Sequence, residues 1–178
     1  MKALKRFLGF FLCLALLLPM IPTEILAVDE HEVYTLSDDY IKVDVSRVNG
    51  GFLISTKEGD RLKKSDNNKK LLYHDGQYDT SFVSFRVGEG TDAKDFIFGG
   101  KYTGSTAVTV TQSADKITAS WGVKYKNDNI TFTQTFAVAA QNSNENGMVS
   151  ISVSVSGTSE PVKARILLDT CLGAQDYA

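Results

Sequence analysis

Cysteine and histidine are both scarce in this chain, with two of each among 178 residues. Cys13 lies in an apolar run near the start, so no second cysteine is left for a disulfide with Cys171 once that run is removed. A disulfide framework is thereby excluded, and the domain must rely on its core. The two histidines, His31 and His74, stand far apart, without a second nitrogen or sulfur ligand at metal-binding spacing. Long linkers rich in proline or serine are missing, as are internal repeats and any sustained helical period with caps. Gly99-Gly100-Lys101 is only a fragment of a phosphate-cradling loop, and no helix pattern follows it.

Charge of one sign is also lacking. Residues 1–27 carry Lys2, Lys5, Arg6 and Glu24; the other 151 residues hold 16 basic and 20 acidic side chains, a net charge of −4. Such mild acidity gives nucleic acid or an anionic membrane no electrostatic reason to bind.

What is present begins with a leader. The positive end at Lys2, Lys5 and Arg6 precedes an apolar run from Phe7 to Leu18, interrupted only by Gly9 and ended by Pro19. Ala27 closes a more polar stretch. This is the three-part form of a secretory signal, and cleavage is expected after Ala27. The rival reading, an uncleaved anchor, needs about 20 apolar residues, more than this run supplies. Cys13 sits too deep in the run for lipid attachment. The expected product is secreted or held at the cell surface, with no membrane contact after cleavage. Its cysteine-poor composition suits a bacterial exported protein.

Beyond the leader, the dominant signal is alternation with period two. Ile41, Val43 and Val45 alternate with polar residues, as do Val108 and Val110. So do Ile117, Ala119, Trp121, Val123 and Tyr125, and again Val149, Ile151, Val153 and Val155. Ile130, Phe132, Phe136 and Val138 form a similar row, broken by Gln134. Each run is a strand with one buried and one wet face. Asn127-Asp128-Asn129 suits a tight connection, so 116–139 reads as one long hairpin. Weaker strands are expected at 51–56, 71–74, 81–87, 95–98 and 162–168. About ten strands in one all-β domain pair into an antiparallel β-sandwich. The expected organisation is a signal peptide at 1–27, a flexible segment at 28–37 and the sandwich at 38–178. After the Val162–Leu168 strand, either the tail to Ala178 frays or the sandwich is the front portion of a longer protein; the second is favoured, since a fragment would leave a strand edge unpaired.

Candidate chemistry is sparse. His31 lies among Asp29, Glu30 and Glu32, an acidic cluster that reads as a solvated start. His74 and Asp75 could pair as base and carboxylate only in a turn, since neighbours on a strand point to opposite faces. Asp38 and Asp39, or Asp169 and Asp176, could supply the carboxylates of glycoside hydrolysis; turn chemistry asks for aspartate at such places anyway. Trp121, Tyr125, Phe132 and Phe136 could stack on sugar rings, but they share rows with aliphatic residues and belong to the core. Tyr73, Tyr78 and Tyr102 fall in expected loops and are the candidate ligand-binding residues. The six basic residues of Lys57–Lys70 are mixed with Glu58, Asp60 and Asp66, as in an exposed loop. Asn129-Ile130-Thr131 fits a glycosylation acceptor, without meaning in a bacterial chain. Thr131, Thr133 and Thr135 face serine- and threonine-rich neighbours, either as a solvated surface or as a flat binding face. Cys171 has no histidine nearby in sequence and no redox motif.

Three stretches carry a family likeness: Asn49-Gly50-Gly51-Phe52 through Thr56-Lys57-Glu58-Gly59, then Asp79-Thr80-Ser81-Phe82, then Arg165 to Gly173. From Tyr40 onward the chain resembles uncharacterised domains at the front of large secreted proteins of Gram-positive bacteria. In outline these are similar to the β-sandwiches of galactose-mutarotase-like proteins. The resemblance implies a sandwich, an extracellular place and a link to sugar. The mutarotase histidine and carboxylate map onto neither His31 nor His74. Together these features lead to the expectation of a non-catalytic binding or interaction module, with carbohydrate or a cell-wall component as partner and no cofactor or metal. The alternative is an accessory or partial domain of a carbohydrate-active enzyme.

Overall fold

In the computed structural model, the residues described are 33–57, 67–73, 80–139 and 147–171. They form an all-β structure of ten strands in three antiparallel sheets. Strands β1 (Val33–Ser37), β2 (Ile41–Ser46) and β3 (Phe52–Thr56) make one sheet. Strands β4 (Phe82–Val87), β5 (Lys94–Ile97) and β10 (Val162–Leu167) make a second, in the order β10-β4-β5. Strands β6 (Thr109–Gln112), β7 (Lys116–Tyr125), β8 (Asp128–Val138) and β9 (Val149–Ser156) make the third, in chain order.

The two three-stranded sheets lie in one layer of a β-sandwich and face the four-stranded sheet. Phe52 of β3 meets Phe136 of β8 with ring centroids 5.0 Å apart. Phe85 of β4 stacks on Phe132 of β8 at 4.2 Å, and Phe96 of β5 meets Trp121 of β7 at 6.5 Å. Short bridges stitch the layer together: Ser55 pairs with Lys70, and Leu72 with Thr170. The core is the inward row of each strand, and it includes Val43, Val45, Val83, Phe85, Val87, Ile117, Trp121, Phe132 and Phe136. Burying one such side chain contributes about 1.5–3 kcal/mol, which is how a domain without a disulfide holds together.

Gln134 sits in the middle of that core at 1% exposure, which explains the break in the β8 apolar row. Its Nε2 donates to the carbonyl of Gly50 in the β2–β3 turn. Gly50 has φ +72°, and a Cβ there would lie 2.7 Å from the Phe98 ring. Glycine is required by both conformation and space. The amide thus ties the first hairpin to the opposite sheet.

Several sequence expectations need correction. Residues 33–37, placed in the flexible start, form β1, which pairs with β2 from Val33↔Ser46 to Ser37↔Lys42. Only Leu36 of that strand is buried, so it left no alternating signal. The strand expected at 71–74 is reduced, over 71–73, to the Leu72 bridge and a few backbone hydrogen bonds. The turn of the long hairpin is at Lys126-Asn127, one residue earlier than its asparagines suggested. Lys126 takes φ +52°, and Asp128 and Asn129 already pair with Tyr125 and Lys124. Residues 1–27, expected to be a signal peptide, lie outside the described residues.

Candidate functional site

The four-stranded sheet turns its second face outward, and that face is almost entirely hydroxyl. Alternation sends Thr118 and Ser120 of β7 away from the core, together with Thr131, Thr133 and Thr135 of β8. On β9 the outward residues are Ser150, Ser152, Ser154 and Ser156, all exposed. The register aligns them across the strands. One row runs Thr109–Ser120–Thr133–Ser154, and the next Thr111–Thr118–Thr135–Ser152. A third row runs Gly122–Thr131–Ser156. Beside Gly122, Thr106 fills the gap: its Oγ1 accepts the Gly122 N–H at 3.0 Å, and a Cβ on Gly122 would lie 3.1 Å from it.

Rows of this kind repeat about every 4.8 Å across the strands and about every 6.8 Å along them. Cross-strand hydroxyls are close enough to share protons, with Ser120 Oγ 3.3 Å from Thr133 Oγ1 and Thr118 Oγ1 3.5 Å from Thr135 Oγ1. Charge enters on β7 only at the two ends of the outward row, Lys116 and Lys124. The middle is neutral, wet and able both to donate and to accept.

The other candidates fare differently. Tyr102 is half-buried in the aromatic cluster, 5.3 Å from Phe96 and 5.7 Å from Trp121. Its hydroxyl accepts the Ile97 N–H at 2.9 Å, and Lys94 Nζ lies 5.9 Å above its ring. The ring is part of the packing between β5 and β7. Tyr73 stands elsewhere, where its N–H donates to the Asp169 carbonyl at 2.7 Å. No ring contact among the described residues joins Tyr73 to Tyr102, and Tyr78 lies outside those residues. Trp121, Tyr125, Phe132 and Phe136 are core residues, and the Tyr125 hydroxyl donates to the Asp92 carbonyl at 2.7 Å.

Asp38 lies in the β1–β2 turn, not ahead of the first strand, and is fully buried. Its Oδ1 accepts the Tyr40 and Ile41 N–H groups at 2.8 Å each, and its Oδ2 accepts the Gly147 N–H. That carboxylate caps a turn and fastens it to the β8–β9 connection. Asp169 is exposed, and its N–H donates to Ser81 Oγ at 3.0 Å. His31, His74 and Asp176 lie outside the described residues, as does most of the basic stretch after Lys57. Lys57 itself donates from Nζ to the Asp38 carbonyl at 2.8 Å. Among the described residues, no group of three His, Cys, Asp or Glu side chains could hold a metal ion.

Comparison of the chain with family models, curated proteins and solved structures finds no match. The hydroxyl face was legible in part: the threonines of β8 stood out in sequence. The rows themselves depend on register, which a single strand does not reveal.

Proposed function

We propose that this chain is an exported, non-catalytic β-sandwich module that binds neutral polysaccharide, such as cell-wall glycan, through its hydroxyl face. The observation that carries the reading is the neutral run of serine and threonine hydroxyls in register across β6 to β9. A glycan chain offers the same chemistry in return, hydroxyls that donate and accept. A flat sheet lets many weak hydrogen bonds form at once, each worth about 0.5–1.5 kcal/mol net. The aromatics of β7 and β8 point into the core, away from the hydroxyl face, so affinity rests on number of contacts more than on ring stacking. Export rests on the basic, apolar and small-residue order of 1–27. The resemblance to front domains of secreted proteins points the same way.

The test is binding of the protein without residues 1–27 to insoluble cellulose, chitin and peptidoglycan, followed by calorimetry with soluble fragments. Binding to at least one is expected, with loss on Thr133→Glu, which puts a charge in the middle of the neutral rows. Failure to bind any of them, or binding untouched by Thr133→Glu, overturns the reading.

A further inference from the structure

Among the described residues, the sandwich is closed on one flank and open on the other. β5 lies over β7 and β4 over β8, so β10 and β9 stand together on the remaining flank. Each is the last strand of its sheet. Among the described residues, the backbone edge of β10 that faces away from β4 meets no strand over Val162–Leu167. The inward residues of β10 pair with Val87, Phe85 and Val83, all buried, yet Ala164 and Ile166 are themselves exposed. Ile166, Leu167 and Leu168 are 38%, 42% and 46% exposed. An apolar edge strand left in this state is a template for another strand.

The outer face of β10 adds a charge preference. Lys163 lies directly opposite Arg86, and that arginine is already paired with Asp95 at 3.0 Å. Arg165 lies opposite Ser84. Neither Lys163 nor Arg165 has an ion-pair partner among the described residues. A strand laid along the free edge would place its own side chains opposite these two cations on one face and opposite Ala164 and Ile166 on the other.

We propose that β10 accepts an extended polypeptide segment by strand addition, and that the segment alternates apolar with acidic residues. Apolar side chains turn inward and cover Ala164, Ile166 and Leu168. Acidic side chains turn outward and meet Lys163 and Arg165. Main-chain hydrogen bonds supply the affinity, and the alternation supplies the specificity. A second copy of this chain fits less well. Registers centred on Ala164 or Arg165 set the cations of the two copies against each other. The register centred on Ile166 matches Lys163 with Asp169 but leaves Arg165 opposite Leu167, so one of the two cations stays unmatched.

The test uses the protein without residues 1–27 and two short blocked peptides, one alternating valine with glutamate and one alternating valine with lysine. Binding is read by fluorescence anisotropy and by amide exchange at β10. The valine–glutamate peptide is expected to slow exchange in β10, and the valine–lysine peptide to bind about tenfold more weakly or worse. In the doubly charge-reversed variant, Lys163→Glu with Arg165→Glu, the preference inverts. Equal binding of the two peptides, unchanged exchange in β10, or no inversion in the variant overturns the proposal. So does a concentration-dependent dimer in sedimentation that buries β10, which would give the edge to a second copy.

Discussion

The β7–β8 hairpin and β9 carry the same sequence signal and receive different treatment. Ile117, Ala119, Trp121 and Val123 alternate with polar residues and are at most 3% exposed. Val149, Ile151, Val153 and Val155 alternate just as cleanly, pair in register with β8, and remain only partly buried. What differs is the opposite layer. Trp121 has Phe96, Phe98 and Tyr102 within ring contact, whereas β9 faces the flank where β10 is itself uncovered. Alternation therefore tells which way a side chain points. How completely it is buried depends on what stands across from it.

Substitutions can break that contrast. Phe132→Ala, beneath Phe85, is expected to cost about 3–5 kcal/mol, measured by urea unfolding. Gly99→Ala comes next. The residue has φ +71°, and a Cβ there would lie 2.0 Å from the Asn49 carbonyl oxygen. Its loss should exceed about 1 kcal/mol, because conformation and space are both violated. Val153→Ala, on the open flank, should cost only about 1 kcal/mol, since half-buried methyl groups return little on removal. If Val153→Ala matches Phe132→Ala, the flank is far better packed than its exposure indicates. Thr133→Ala on the outward face should leave stability within about 0.5 kcal/mol.

The smallest effect concerns Lys126. A hydrogen bond to Glu160 at 2.7 Å raises its pKa above the ordinary 10.5, opposed by desolvation. A raised value in the folded state means that the linked stabilisation is complete below 10.5 and is lost as pH climbs through the folded value. Because the pair is exposed, Glu160→Gln should move the Lys126 titration, followed by NMR, back toward 10.5 without a measurable change in unfolding.

The fold was legible wherever one face was covered and the other wet. The rows at Ile41–Val45, Ile117–Tyr125 and Ile130–Val138 all became strands, in an antiparallel sandwich. β1 was not legible, because Val33 is exposed and Tyr34 only half-covered. Residues 71–74 read as a strand in sequence, but over 71–73 the buried Leu72 makes only an isolated bridge to Thr170. The tyrosines could not be sorted by sequence: Tyr102 looks like a loop residue and turns out to be packed on Trp121. The hydroxyl rows needed the pairing of four strands before they appeared.

Native-state amide exchange compares the two flanks most directly. In the closed region, amides of β7 and β8 should exchange only through global unfolding. Those of β10 that point away from β4 should exchange many times faster under the same conditions. Protection of β10 equal to that of β8 would contradict an open flank and, with it, the contrast on which this account of the molecule rests.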